Sequence, residues 1–186
     1  SAAMYSRMES GSTAKLTTQN TGTIEVAQTG SAGIFADNQS NGQSEVLNSG
    51  LVKMTGIKSV GIIGKKSKVT NSGTVANGIE TAGILASKES EVTNSGRIEG
   101  NTGTKLVGIS VDADSTAKNT ATGTITMNTD SNTGIASKGG EVTNEGEITL
   151  KGIKSTGISS ENGDVTNSGT ITLSGATSTG ISSENA

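Results

Sequence analysis

The apolar residues of this chain alternate with polar ones inside short segments, and the whole pattern of segments recurs about every 23 residues. Each recurrence has an apolar residue, an Asn two positions later, and a second apolar residue four positions after that Asn. A third run places a Gly-Ile pair between small residues. Alternation with a period of two is typical of β-strands. Each recurrence therefore predicts three short strands.

Two sets of residues fix the repeat along the chain. One set is the Asn that precedes a turn, found at Asn20, Asn48, Asn71, Asn94, Asn119, Asn144 and Asn167. The other set is the Ile of the Gly-Ile pair, found at Ile34, Ile62, Ile84, Ile109, Ile135, Ile158 and Ile181. Because both sets follow the same order at nearly the same spacing, the repeat is an architectural unit and not a local coincidence.

Three short strands separated by Asn-Gly and Asn-Ser-Gly turns predict one coil of a parallel β-helix, so the fold class is all-β. We expect a right-handed, three-stranded solenoid of about seven coils, since parallel crossovers are nearly always right-handed. The β-helical repeat domain covers residues 20–186, with residues 1–19 as the end of a truncated preceding coil. A longer interval at residues 37–44 predicts a surface loop. The predicted coils begin near residues 20, 48, 71, 94, 119, 144 and 167.

The recurring asparagines have a structural interpretation. Identical amides stacked in successive coils can hydrogen-bond to one another along the axis of the solenoid, as in the ladders of in-register strands. Asn also suits the turn that follows it. We therefore predict that these seven asparagines form a structural ladder and not a ligand site.

The position just after each recurring Ile is predicted to face outward. In the N-terminal half it holds large apolar residues, Tyr5, Phe35, Ile63 and Leu85. In the C-terminal half it becomes small or polar, at Ser110, Ala136, Ser159 and Ser182. Contiguous exposed apolar surface usually marks a contact, so the first four residues are the candidate contact residues. The Gly before each Ile is also predicted to face outward, as a flat floor beside them, and the small residue before that Gly is predicted to face inward.

Composition narrows the possible functions. Only 30% of the residues are hydrophobic and 1% are aromatic, which predicts a thin, elongated core. The chain has no Cys and no His, so a Ser-His-Asp or Cys-His nucleophile and the usual zinc ligands are excluded. We predict no cofactor. The net charge of −3 and the few aromatic rings disfavour nucleic-acid binding, and no apolar run is long enough to insert in a membrane.

One acidic cluster is a candidate for chemistry. Asp112 and Asp114 follow a third-strand segment, and Asp130 comes one coil later. Carboxylate oxygens are ligands for calcium, and polysaccharide-cleaving β-helices work with carboxylates, calcium and basic residues. We favour the interpretation that these three are solvated turn carboxylates, so no metal site is predicted.

A family resemblance follows from the motif Val-Thr-Asn-Ser-Gly preceded by a charged residue, which stands at 68–75, 91–98 and 164–171. These repeats resemble the passenger repeats of bacterial type V monomeric autotransporters, most closely the fusobacterial outer-membrane adhesins. The resemblance implies a rigid stalk displayed at the bacterial surface, outside the outer membrane, that takes part in adhesion to host cells or other bacteria and in virulence. It implies a protein or glycan receptor, a monomeric chain and no catalysis.

Two other interpretations remain open. A β-helical polysaccharide lyase or hydrolase that depends on carboxylates and calcium is the alternative from another class of function. A trimeric adhesin head of left-handed repeats would need a repeat of about 14 residues, which fits the 23-residue repeat poorly. Turnover of acidic polysaccharides and sedimentation would separate these interpretations from a single-chain adhesin segment.

Overall fold

The computed structural model describes residues 1–185, and all regular elements in this range are β-strands. The strands in chain order are β1 (Ala2–Met8), β2 (Lys15–Asn20), β3 (Thr23–Val26), β4 (Ala32–Asn38), β5 (Gln43–Asn48), β6 (Leu51–Met54), β7 (Val60–Lys65), β8 (Lys68–Asn71), β9 (Thr74–Asn77), β10 (Ala82–Ser87), β11 (Glu91–Asn94), β12 (Arg97–Gly100), β13 (Val107–Val111), β14 (Thr116–Asn119), β15 (Thr124–Met127), β16 (Thr133–Lys138), β17 (Glu141–Asn144), β18 (Glu147–Leu150), β19 (Thr156–Glu161), β20 (Val165–Asn167), β21 (Thr170–Leu173) and β22 (Thr179–Glu184).

Every third strand belongs to the same sheet, so the chain winds through three parallel sheets. Sheet I has eight strands in the order β1-β4-β7-β10-β13-β16-β19-β22, sheet II has the seven strands from β2 to β20, and sheet III has the seven from β3 to β21. All the pairings between neighbouring strands are parallel. The predicted all-β, three-stranded parallel solenoid of about seven coils is confirmed, and its right-handed winding stays a prediction.

The register repeats from coil to coil without slipping. In sheet I, Ile62 pairs with Ile34 on one side and with Ile84 on the other. In sheet II, Val69 pairs with Val46, and in sheet III, Ile98 pairs with Ile125. A slip by one residue would turn these side chains to the opposite face. The recurring apolar residues therefore fix the alignment of the sheets.

The core is a narrow column inside the coil. Sheet I supplies isoleucines such as Ile62, sheet II supplies valines such as Val69, and sheet III supplies Val75 and Ile98, all with no exposed surface. One core residue lies outside the strands: Leu106, at the corner before β13, is also fully buried and packs where sheet III has only Gly100. Because the column is narrow, Ile, Val and Leu side chains are large enough to fill it and exclude water without aromatic residues.

The glycines before the recurring isoleucines face inward, so the predicted flat floor on the outside is wrong. A Cβ atom on Gly61 would lie 2.6 Å from the carbonyl oxygen of Gly83 and 2.8 Å from Cγ1 of Val75, which belong to the next coil. Gly61 and Ile62 are both buried. Two consecutive residues of the strand, Gly61 and Ile62, therefore face inward. This shifts the alternation of inward and outward side chains by one position, as a β-bulge does. Val60 therefore lies on the outer side, and the prediction that it faces inward is also wrong.

The predicted surface loop at 37–44 is shorter than expected and is partly packed. Strand β4 continues through Asn38, and β5 begins at Gln43. Between them Ser40 is 3% exposed, and its hydroxyl donates to Oδ1 of Asn38 at 2.8 Å. Asn38 Nδ2 donates to the carbonyl oxygens of Gly42 and Lys66, at 2.9 and 3.0 Å. These side chains turn the insertion into a hydrogen-bonded corner.

The corner before each strand of sheet I from β4 onward contains a residue with positive φ. It is a glycine once and another residue six times, at Gly30, Lys58, Glu80, Lys105, Ser131, Lys154 and Thr177. The N–H of Lys58 donates to the carbonyl oxygen of Ile79 in the next coil at 3.1 Å. Bonds of this kind satisfy backbone groups that would otherwise be unpaired at a corner. Among residues 1–185, no helix has the length and apolar character needed to cross a membrane.

Candidate contact surface

The outer side of sheet I carries an apolar surface in its first five strands. Tyr5 pairs in register with Phe35, Phe35 with Ile63, and Ile63 with Leu85. The structure thus brings the four predicted contact residues into one column. The shifted alternation before each Gly adds a second, smaller column beside it. The apolar stripe comprises Ala2, Tyr5, Ala32, Phe35, Val60, Ile63, Ala82, Leu85 and Val107. Tyr5 is exposed, Ala32 is buried, and the other seven are half-buried.

Two aromatic rings form one end of the apolar stripe. The ring centroids of Tyr5 and Phe35 lie 5.4 Å apart, with their planes tilted by 56°. Tyr5 is 56% exposed. The ammonium nitrogen of Lys65 lies 5.0 Å from the centroid of the Phe35 ring, within the range of a cation–π contact. This end therefore offers both aromatic surface and a positive charge.

A shallow groove of about 540 Å³ lies over the part of the apolar stripe in β1, β4 and β7. Tyr5, Phe35, Val60 and Ile63 line it, and Lys58 stands at its margin. A ligand in this groove would meet mainly carbon atoms and one ammonium group. The sequence prediction missed Val60 and the other residues of the smaller column. The signal that could have found them is the Gly in the third strand, since a Gly inside a strand often marks a bulge.

Charged residues border the stripe on the side toward sheet II. Arg7, Asp37 and Lys65 are neighbours in register across β1, β4 and β7. Asp37 Oδ2 accepts a hydrogen bond from Gln39 Nε2 at 3.0 Å, and the guanidinium of Arg7 pairs with Glu9 at 3.1 Å. The side chain of Asp37 therefore lies between two positive charges on the same face.

The recurring asparagines form one hydrogen-bonded column along the corner between sheets II and III. Each Nδ2 donates to Oδ1 of the next asparagine at 2.7 to 2.8 Å, from Asn20 through Asn48, Asn71, Asn94, Asn119, Asn144 and Asn167. Asn71, Asn94, Asn119 and Asn144 have no exposed surface. Because the amides bond to one another, they are not free to bind a ligand.

Sequence reasoning missed a second set of corner residues. At the corner that leads into sheet II, the N–H of Ser67 donates to the hydroxyl of Ser90, and the N–H of Ser90 donates to the hydroxyl of Ser115, at 3.1 and 3.2 Å. At the corner that leads into sheet I, the N–H of Leu106 donates to Oδ1 of Asn132 at 2.9 Å. The N–H of Asn132 in turn donates to the hydroxyl of Ser155 at 3.2 Å. All are buried. Serine is common throughout this chain, so the pattern gave no distinct signal.

The acidic cluster is not brought together. Asp112 lies at the corner that follows β13, where its Oδ1 accepts from the hydroxyl of Ser115 at 2.9 Å and from the N–H of Lys88 at 3.2 Å. Asp130 lies at the opposite corner, before β16, and its Oδ1 accepts from the N–H of Ile153 at 3.0 Å. Asp114 has a φ of 66° in the turn after Asp112. Residues 1–185 contain no group of three or more Asp, Glu, His or Cys side chains placed to hold a metal ion.

Comparison with known proteins gives one family. The model of a family described as the BigA third pectate lyase-like domain matches residues 58–185, from the corner before β7 to the end of the described chain. No curated protein and no solved structure matches. The matched region contains the sixteen strands from β7 to β22, which are five complete coils and one further strand of sheet I, together with part of the apolar stripe.

Proposed function

The chain belongs to the family of the BigA third pectate lyase-like domain, and from this premise we propose that it is an adhesive segment of a bacterial surface protein. BigA is an autotransporter-like adhesin, and a continuous solenoid fits the passenger part of such a protein. In this proposal the segment is displayed outside the outer membrane as a stalk that takes part in adhesion and virulence. The Val-Thr-Asn-Ser-Gly motif favours an adhesin of the fusobacterial type.

The observation that carries the proposal is the apolar stripe. Most outer positions of the three sheets hold Thr, Ser, Lys or Glu, whereas the first five strands of sheet I present two adjoining apolar columns. Soluble proteins seldom expose apolar surface in one continuous area unless it contacts a partner. The large column becomes small or polar from β13 onward, at Ser110, Ala136 and Ser159, and the smaller column becomes polar from β16 onward, at Thr133 and Thr156. The fold therefore does not require apolar residues there, which supports a role in contact.

The stalk function rests on the three ladders of strands. Each coil pairs with its neighbours through all three sheets, and the asparagine column adds side-chain bonds along the same axis. Solenoids of this kind gain stability from the interfaces between neighbouring units. A segment so built can hold a binding surface away from the cell without disulfides, of which this chain has none.

The alternative of a polysaccharide lyase or hydrolase is not favoured. Such an enzyme needs carboxylates and a basic residue that converge on one substrate. Here Asp112 and Asp130 occupy different corners and accept hydrogen bonds from turns. The words "pectate lyase-like" in the family description match the β-helical fold.

Adhesion assays with matched variants test the proposal. We expect the purified chain to bind host cells or partner bacteria. A double variant Phe35→Ser, Ile63→Ser should bind about tenfold more weakly, because two large apolar side chains leave the contact. The control is the double variant Ile79→Ser, Ile153→Ser, which removes two exposed isoleucines outside the apolar stripe. Equal binding by the two folded double variants would contradict the contact role of the stripe.

A further inference from the structure

We propose that the apolar stripe pairs with the same stripe of a second copy of this chain, with the two solenoids running in opposite directions. This inference rests on the proposed function only in taking the stripe as the contact surface. It adds the identity of the partner, its orientation and the strength of the contact. The order of apolar and charged residues along sheet I determines which orientation of the second copy fits.

An antiparallel pair matches the two ends of the stripe. Its two-fold axis runs along the strands, between β4 and β7, so that the order of strands is reversed in the second copy. Phe35 then lies opposite the partner's Ile63, and Tyr5 lies opposite the partner's Leu85. Each aromatic end therefore covers an aliphatic end, and the smaller columns face each other. The interface is isologous, as a closed dimer requires.

The bordering charges favour the same orientation. With the strand order reversed, Asp37 lies opposite the partner's Lys65, and symmetry makes this contact twice. Parallel solenoids would instead be related by an axis along the stalk, which exchanges the two margins of the stripe. Lys58 at one margin would then lie near the partner's Lys65, and like charges across an interface disfavour association. The charge pattern therefore selects the antiparallel pair.

The area of the stripe sets the strength of the contact. With the axis between β4 and β7, the strands β1, β4, β7 and β10 of each copy face the partner. Strands about 4.8 Å apart and about 20 Å long give these four a surface of roughly 400 Å² on each copy. The pair would bury roughly 800 Å² in all, which is the size of a weak, transient interface. We therefore expect a dissociation constant on the order of 100 µM and a monomer at low micromolar concentration. Pairing of this strength matters where many copies are held close together.

The antiparallel orientation has a geometric meaning for a surface stalk. Two stalks that project from the same surface run in the same direction, whereas two stalks that project from facing surfaces run in opposite directions. The proposed contact therefore joins stalks on facing cells. The contact is homotypic, since the partner is another copy of this chain.

Sedimentation velocity across concentration tests the pairing. We expect the purified chain to shift from monomer to dimer between about 10 µM and 1 mM. The double variant Phe35→Ser, Ile63→Ser should raise the dissociation constant at least about tenfold, and the control Ile79→Ser, Ile153→Ser should leave it within about twofold. Circular dichroism checks that each variant retains its β-structure. A chain that stays monomeric at 1 mM, or a dimer that the stripe variant leaves unchanged, overturns the proposal.

Charge reversal tests the orientation. In the antiparallel pair Lys65→Asp places two carboxylates opposite each other and weakens association, and adding Asp37→Lys restores it. In a parallel pair Lys65→Asp would face the partner's Lys58 and strengthen association. Tighter pairing by the single variant, or no rescue by the double variant, therefore overturns the antiparallel arrangement. If the chain is monomeric yet still binds other cells through the stripe, the pairing fails while the proposed adhesive function stands.

Discussion

The asparagine column gives a sharp prediction about stability. Asn94 accepts a hydrogen bond from Nδ2 of Asn71 at 2.7 Å and donates one to Oδ1 of Asn119 at 2.8 Å. The substitution Asn94→Ala removes both bonds and leaves a buried amide oxygen on Asn119 without that donor. It also removes a longer bond, from Nδ2 of Asn94 to the carbonyl oxygen of Gly96 at 3.3 Å, which has an equivalent at Asn167. Two lost bonds at about 1 kcal/mol each, with about 1–3 kcal/mol for the orphaned oxygen, predict a loss of about 3–5 kcal/mol.

The matched control is the exposed end of the same column. Asn167 accepts one amide bond, from Asn144 at 2.7 Å, and is itself exposed. Asn167→Ala should therefore cost only about 1 kcal/mol, because water can replace the lost partner. Guanidinium unfolding followed by circular dichroism measures both variants. If Asn94→Ala and Asn167→Ala lie within about 1 kcal/mol of each other, the buried column does not contribute as argued.

A carboxyl at position 94 adds a test by pH. Asn94→Asp keeps the shape, but burial without a neighbouring cation raises the carboxyl pKa above its unfolded value of about 3.9. The protonated group can donate to Asn119, whereas the ionised group cannot. Its stabilising effect is therefore fully present below the unfolded pKa and is lost as the pH rises through the folded pKa. The difference in free energy of unfolding between the parent chain and this variant should be smaller at pH 4 than at pH 7. An equal difference at the two pH values would refute this explanation.

Two further predictions concern the core. Gly83→Ala would place a Cβ 2.6 Å from the carbonyl oxygen of Gly108, so we expect a loss of at least about 2 kcal/mol by thermal unfolding, whereas Gly22→Ala, with nothing within 4 Å, should be nearly neutral. Leu106→Ala empties a fully buried site and should cost about 2–5 kcal/mol, against less than about 1 kcal/mol for Ile153→Ala at a 44% exposed corner. Similar losses within either pair would contradict the assigned packing.

The strands and their register could be predicted because each coil repeats the same apolar positions. Val69 and Ile98 belong to columns that appear in the sequence at a fixed distance from an Asn, and parallel stacking converts that distance directly into contact. The four residues of the large outer column followed from the same rule. Repetition therefore supplied the long-range information that a single sequence usually lacks.

The direction of the glycines could not be predicted from alternation. Gly61 faces inward because Val75 and the carbonyl of Gly83 approach it from the next coil, and that approach depends on the cross-section of the folded coil. The smaller outer column, including Val60, was missed for the same reason. The corners with positive φ were missed as well, because Lys58 and Glu80 adopt a left-handed conformation that Gly or Asn usually adopts. Backbone hydrogen bonds to the next coil stabilise these corners. Such bonds cannot be predicted from the sequence of a single repeat.

The unbroken register has a consequence for the gene. Residues 141–163 and 164–185 share 16 of 22 aligned positions and occupy adjacent turns of the solenoid. Unequal recombination between their coding sequences would delete or duplicate one turn while preserving all three sheets and the asparagine column. Each such event would change the reach of the stalk by about 4.8 Å and leave the apolar stripe intact. Length and contact chemistry can therefore evolve separately in this protein.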